Sequence, residues 1–437
     1  MKFILMLLLS MFFWAENNFA QKPPLLTLEE AVSIALKNNY NILLAKNNSV
    51  ISATNVTIGN AGYLPVLSAN VSATNSVLNI DQTRSDGTVN KLNNLHNSSN
   101  SYGPVINWTL FDGFAMFANY DQLKTLNRLG QVQERDTVQS TLASVITTYY
   151  NLVNQNQQII SLKEAIAISR LQLRYASDKY GVGRASKLDV LNAQVNFNTD
   201  TANFLVQVQS FKTTKISLNR LLVRTLTTDF SVPDTIRNQD QLVLGDILSK
   251  AQTENPAILI SQINKRLSEI SLRQVRSTRY PVLGVNSGYN FSNSKTPAGF
   301  TRTQNTKGLN YGLTASVNIF DGFNQTRRER VAKLQVSGAD IQLERVKQQV
   351  EAQINSLYID YLSGLDLIRL EKSNVEIAKQ NLDISLEKYR LGNITPLEVR
   401  EAQRNYLDAQ TRFFNNQYQT KLAEVGLKEI TGTISLN

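Results

Sequence analysis

The chain has 437 residues, a single histidine and no cysteine, and its 45 Lys and Arg exceed 35 Asp and Glu for a net charge of +10. The lack of thiols excludes disulfides, thiolate metal sites and a lipid on an N-terminal cysteine. The basic residues are scattered among acids with no dense block, which describes a mixed solvated surface and not a nucleic-acid footprint.

At the N-terminus, Met1-Lys2 leads into an apolar run from Phe3 to Trp14, then polar Glu16-Asn17-Asn18. About a dozen apolar residues are too few to span a bilayer as a helix and fit a signal peptide over 1–20, cleaved after Ala20. The mature chain, from Gln21, has no run of about eighteen consecutive apolar residues, so it carries no transmembrane helix. Membrane residence would then require a closed β-barrel, because open strands leave backbone groups unsatisfied in lipid. His96 lies in an Asn/Ser-rich segment and reads as a loop residue.

Internal repetition organises everything that follows. Leu28, Ala35, Asn39 and Ile42 recur 216 residues later as Leu244, Ala251, Asn255 and Ile258, and Pro65-Val66 recurs as Pro281-Val282. Phe111-Asp112-Gly113-Phe114 returns as Phe320-Asp321-Gly322-Phe323 at an offset of 209. Lys179–Gln194 matches Lys388–Gln403 at seven of sixteen positions, also at 209. The first repeat is expected over 21–225, with strands about 64–78 and 102–111 and helices about 113–180 and 186–223. The second is expected over 226–437, with strands about 281–292 and 309–320 and helices about 322–390 and 396–430.

Each repeat opens with period-two alternation, as in Leu67, Ala69, Val71 and Ala73 against Ser68, Asn70 and Ser72. Ile106, Trp108 and Leu110 form a second such run; Tyr311, Leu313, Ala315, Val317 and Ile319 do so in the second repeat. Between the runs, Asn79–Ser101 and Ser292–Asn310 are rich in Asn, Ser, Thr and Gly and read as long polar hairpin loops. The apolar parity, including Trp108, Tyr289 and Tyr311, is a candidate lipid face with aromatic anchors; in a soluble sandwich it would be core.

A helical pattern then runs from Gly113 to Tyr180 without proline, about 100 Å at 1.5 Å per residue. Leu152, Ile159, Ile166, Leu173 and Tyr180 mark a heptad, repeated by Tyr361, Ile368, Val375, Leu382 and Tyr389, as in coiled-coil packing. Asp112 and Asp321 are expected to cap these helices, and Ser186 and Thr395, with Pro396 at a first helical position, the returning ones. Gly181-Val182-Gly183 and Gly392-Asn393 mark the turns between.

Four strands cannot close a barrel around a channel, since small closed barrels need about eight. Lipid-competent hairpins joined to long heptad helices therefore imply a pore made by oligomerisation; three chains would supply twelve strands. Leu110–Gly113 and Ile319–Gly322, together with a doubled Tyr-x-x-Gly-x-x-(Ser/Thr)-x-Leu-(Asp/Glu)-Val-x-x-Ala-Gln turn, resemble the TolC-type outer-membrane efflux family, from Leu26 to about Gly432. The resemblance implies a mainly α fold with a membrane β-barrel portion, two tandem repeats, and a homotrimer with a 12-stranded barrel continued by a periplasmic α-barrel. It implies an exit duct in the outer membrane of a Gram-negative bacterium, extending into the periplasm and serving a periplasmic adaptor and an inner-membrane transporter. No cofactor is expected.

The family's acidic rings at the periplasmic mouth match Asp189, Glu398 and Glu401, and a ring of symmetry-related carboxylates attracts cations. The same acids also suit a helix start by its dipole. Asn192 replaces the second acid in the first repeat, and Ile394 stands where some members carry an arginine, although Tyr389 is present. The turn residues Gly181, Val182, Gly183, Ser186, Leu391, Gly392 and Thr395 are candidate adaptor contacts. No phosphate loop or His/acid cluster supports an enzyme. A poreless periplasmic coiled-coil scaffold is the alternative, but two equivalent hairpin-plus-helix units favour the duct. Drug, metal-ion or protein cargo remains open.

Overall fold

The computed structural model describes residues 23–238, 242–298 and 301–434, so the expected signal segment 1–20 lies outside the described residues. Eight helices are described: α1 (Leu28–Asn38), α2 (Tyr40–Thr54), α3 (Ala115–Gly181), α4 (Lys187–Leu221), α5 (Leu244–Glu254), α6 (Pro256–Ser277), α7 (Asn324–Leu391) and α8 (Pro396–Ile430). Four strands accompany them: β1 (Val66–Thr83), β2 (Val89–Asp112), β3 (Val282–Lys295) and β4 (Thr303–Ser316). The chain divides into two compact units, and each draws on both sequence repeats.

One unit takes the described residues to Leu44, Arg135–Asn255 and those from Gln349. Its largest core packs Ala31, Val32 and Ala35 of α1 against Val145, Leu152, Leu218 and Phe230. Full burial of such side chains is worth about 1.5–3 kcal/mol for each large one. The recurrent Leu28, Ala35 and Asn39 share one local structure. Leu28 and Ala35 lie on a short amphipathic helix that Asn39 closes as C-cap, opened by a capping box in which Thr27 and Glu30 each satisfy the other's backbone N–H. Asn39 Nδ2 donates to the Leu221 carbonyl at 2.8 Å, and its repeat mate Asn255 donates to Ile430 at 2.8 Å. Each repeat thus uses one asparagine to satisfy an end carbonyl of its returning helix.

The heptad reading holds better for α7 than for α3. Tyr361, Leu382 and Tyr389 are buried. On α3, Leu152 and Ile159 are buried, but Tyr180 is 46% exposed and the packed line shifts to Ala165, Ser169, Gln172 and Ala176.

The other unit holds Ala45–Glu134 and Pro256–Gln348, including an antiparallel sheet in the order β1-β2-β3-β4. The strands extend well into the segments expected to be loops: β1 reaches Thr83, β2 begins at Val89, β3 reaches Lys295 and β4 begins at Thr303. Polar composition misled there because a sheet with one polar face needs Asn, Ser and Thr at alternate positions. His96 is accordingly a strand residue opposite Val77. In contrast, β4 ends at Ser316, short of the expected 320.

The Phe-Asp-Gly-Phe junctions reverse the chain through two successive left-handed residues, Gly113 (φ +69°) and Phe114 (φ +72°), then Gly322 (φ +66°) and Phe323 (φ +64°). A phenylalanine at positive φ is strained. In each junction its ring packs edge-on to the phenylalanine three residues earlier, Phe111–Phe114 at 5.2 Å and Phe320–Phe323 at 5.4 Å. The aspartates do not cap the helices as expected. Asp112 ends β2 with its Oδ1 buried and unpaired among the described residues, and Asp321 takes an ion pair from Arg328 at 3.1 Å. A Cβ on Gly113 would collide with the Ser277 carbonyl oxygen, whereas one on Gly322 meets only Asn324 Nδ2 at 3.7 Å. Gly322→Ala should cost about 1–2 kcal/mol for its backbone conformation. Gly113→Ala should cost clearly more, read as the larger fall in Tm; equal falls would refute the steric reading.

Candidate functional site at the helical hairpin ends

Helices α3 and α7 end in the same way. Gly183 N–H donates to Tyr180 O at 3.0 Å and Arg184 N–H to Lys179 O at 2.7 Å; Gly392 and Asn393 repeat this with Tyr389 O at 3.0 Å and Lys388 O at 2.9 Å. These are Schellman ends, and Gly183 (φ +74°) and Gly392 (φ +87°) supply the left-handed residue they need. The expected caps follow: Ser186 and Thr395 accept from the N–H of Asp189 and Glu398, and Pro396 starts α8. The turns and the residues after them expose apolar surface, with Val182 71%, Leu391 67% and Leu397 76% accessible. Gly181 is the last residue of α3.

The three acids are not equivalent. Asp189 Oδ2 accepts from Ser186 N at 2.9 Å and Oγ at 2.8 Å; Glu398 Oε2 accepts from Thr395 N at 2.7 Å and Oγ1 at 2.8 Å. The backbone hydrogen bond, then the hydroxyl one, hold both carboxyls below their ordinary range. Glu401 takes no part in a cap; it is exposed and lies 4.0 Å from Arg404.

Tyr389 is buried beside the end of α3. Lys179 Nζ lies 4.1 Å from its ring centroid and donates to its carbonyl at 2.6 Å, a cation–π contact joined to a hydrogen bond. Lys179 therefore ties the ends of α3 and α7 together within one chain.

Sequence reading missed a buried polar cluster linking α3, α4 and α8. Arg400 grips Asp200 with two nitrogens, at 2.8 and 2.9 Å. Gln403, fully buried, donates to Asp200 Oδ2 at 3.2 Å, Ser169 Oγ at 3.2 Å and Ala165 O at 3.1 Å, and accepts from Gln172 Nε2 at 3.1 Å. Ser169 also donates to Asp200. Such a network is costly if any member is missing and specifies one packing when complete. The repeat offered a signal: Asp200 corresponds to Ala409, and Arg400 to Leu191, at the offset of 209. Among the described residues no cluster of His, Asp and Glu could hold a metal, and no helix is long and apolar enough to cross a membrane.

Two predictions arise here. Asp200→Ala leaves Arg400 partly buried without its carboxylate and should destabilise by about 3–5 kcal/mol, and Asp200→Leu/Arg400→Met by much less. Chemical denaturation of both variants checks this; equal losses would show the pair is not coupled. The depressed Asp189 and Glu398 carboxyls add stability that is present above their unfolded pKa, about 4, and lost as pH falls through the lower folded value. Hydrogen exchange at the hairpin ends should therefore quicken below about pH 4. Ser186→Ala/Thr395→Ala should show less of this acid dependence, and an unchanged profile would contradict it.

Comparison with known proteins agrees with this architecture. The profile of the family described as outer membrane efflux protein matches residues 31–223 and 247–433, one segment in each repeat. The outer membrane efflux protein BepC of Brucella suis is 22% identical over 410 residues, covering 94% of this chain and 86% of that protein. TolC of Escherichia coli is 22% identical over 382 residues, covering 82% of this chain and 74% of TolC. Among solved structures, a membrane protein from Pseudomonas aeruginosa superposes with a TM-score of 0.79 at 14% identity, over 96% of this chain and 93% of its own. The Campylobacter jejuni CmeC outer membrane channel does so with a TM-score of 0.73 at 19% identity, over 93% and 85%. The chain belongs to the outer membrane efflux protein family: it is an exit channel of the Gram-negative outer membrane, not a poreless scaffold.

Proposed function

We propose that three copies of the chain assemble into a twelve-stranded barrel in the outer membrane, continued by a periplasmic α-barrel. The assembly passively conducts material delivered by an inner-membrane transporter through a periplasmic adaptor, and catalyses nothing itself. The observation that carries this reading is a second, unused set of apolar seams. On α7, Leu370, Ile377 and Ile384 follow one another every seven residues, each 56–62% exposed, on a face distinct from buried Tyr361, Leu382 and Tyr389. On α4, Leu188, Leu191, Val195 and Leu205 form a matching line, each 52–64% exposed. Heptad seams of this kind are helix-packing surfaces, and a chain that left them in water would aggregate. Two different seams on one chain suit a head-to-tail contact, which closes into a ring.

The adaptor is proposed to meet the turn residues Gly181, Val182, Gly183, Ser186, Leu391, Gly392 and Thr395, whose exposed Val182 and Leu391 offer apolar anchors. Asp189, Glu398 and Glu401 are proposed as the acidic mouth. Glu401 is the sensitive member, since its carboxylate is free of the capping role that binds the other two.

Ile377→Glu/Ile384→Glu should shift the purified protein from trimer to monomer by light scattering; an intact trimer would sink the seam reading. In planar bilayers Glu401→Gln should reduce cation preference while leaving insertion intact. Unchanged selectivity would move the gate away from Glu401.

A further inference from the structure

At the second sheet-to-helix junction, positive charge gathers on two neighbouring stretches. Arg273, Arg276 and Arg279 follow one another at the end of α6, and Arg327, Arg328, Arg330 and Lys333 at the start of α7. Gln325 holds the stretches together: its Nε2 donates to the Val275 carbonyl at 2.6 Å, and its Oε1 accepts from Thr278 Oγ1 at 2.7 Å. Three of the cations are paired, Arg273 with Asp121 at 2.9 Å, Arg328 with Asp321 at 3.1 Å, and Arg279 with Glu329. Arg276, Arg327, Arg330 and Lys333 are exposed and make no ion pair or side-chain hydrogen bond among the described residues.

The first repeat builds the same junction without these charges. At the offsets of the repeat, Arg276, Arg327 and Arg330 correspond to Asn60, Ala118 and Asp121. Lys333 has a cationic counterpart, Lys124, but that one lies over the Tyr120 ring at 4.1 Å. The fold therefore does not require the cations, and like charges gathered on one surface repel unless an anion lies among them. Apolar surface adjoins them: Ile319, Phe320 and Phe323 are 94%, 73% and 75% exposed. A recess of about 320 Å³ is lined by both kinds of residue, with Thr278, Arg279 and Arg328 beside Phe320 and Phe323.

We infer that this face binds the headgroups of anionic phospholipids in the periplasmic leaflet of the outer membrane. This rests on the barrel proposed above and adds a lipid chemistry to one side of it. Arg327, Arg330 and Lys333 recur every three residues along one side of α7. The Phe323 carbonyl accepts from the Arg327 N–H at 3.1 Å, so the cations begin one helical turn beyond the Phe320–Phe323 pair. At 1.5 Å per residue they extend over about 6–15 Å from it. The headgroup zone on one face of a bilayer is about 5–8 Å deep. Helical side chains lean toward the helix N-terminus, here back toward the lipid, and long cationic ones reach further while their stems stay on apolar surface. The rings then meet acyl chains and the cations meet phosphates. A zwitterionic headgroup would set its own ammonium among these cations, whereas an anionic one brings only negative charge. Each cation held at such a surface is worth about fivefold in affinity.

Native mass spectrometry of the full chain in detergent, with equimolar phosphatidylglycerol and phosphatidylethanolamine, tests this. The wild-type protein should retain phosphatidylglycerol by at least about fivefold over phosphatidylethanolamine. Arg276→Gln/Arg327→Gln/Arg330→Gln/Lys333→Gln should abolish that preference. Arg345→Gln/Arg369→Gln/Lys372→Gln/Lys379→Gln, which removes as many exposed cations elsewhere on α7, should keep it. Equal retention of the two lipids by the wild-type protein, or an unchanged preference in the first variant, would overturn the inference. Loss of preference in both variants would assign it to net charge and overturn the site. A first variant that falls to monomers while the second stays oligomeric would also overturn it, because another copy would then hold the cations. Conductance in phosphatidylcholine bilayers separates this from the assembly. Wild-type protein that forms no channels there would refute the barrel itself, whereas channels without a lipid preference would refute only the lipid site.

Discussion

A peptide group in hydrocarbon has no water to bond, so each strand placed there must find a neighbour on both sides. This constraint governs the molecule more than any single contact. Among the described residues one chain provides four strands and two bare edges, which is an incomplete object in a membrane. The long helices carry the same incompleteness into water as apolar seams that their own chain does not cover. In the proposed assembly, the sheet edges and the helix seams are both covered by other copies.

The doubled sequence supplies a frame, and the departures from doubling mark where the halves differ in duty. The hairpin registers, the Schellman ends, the capping boxes and the Asn39 and Asn255 contacts are conserved between halves because each answers a local backbone demand. The Asp200–Arg400–Gln403 cluster has no counterpart. It joins the returning helix of the second repeat to the hairpin of the first, so it fixes how the two repeats sit against each other near the turns. The Lys179–Tyr389 contact acts in the same place through a different force.

Much of this was legible in the residues. The Ser-x-x-Asp and Thr-x-x-Glu caps, the glycine turns and the long helices follow local rules, and the structure places them where the pattern indicated. The polar strand ends were misread because a wet sheet face and a loop use the same residues; only cross-strand pairing separates them. The Asp112 and Asp321 caps failed because two left-handed residues intervene before each helix begins. The buried cluster was hidden because its members come from three distant segments, and each alone resembles a solvated polar residue. Local chemistry is written in sequence order, whereas a tertiary network is not.

The hairpins also differ in height. β1 carries 18 residues and β3 carries 14, from equivalent starting points at Val66 and Val282. At about 3.3 Å per residue the first hairpin stands roughly 13 Å taller. In a ring of three copies tall and short hairpins would alternate, giving the far rim three crests and three saddles.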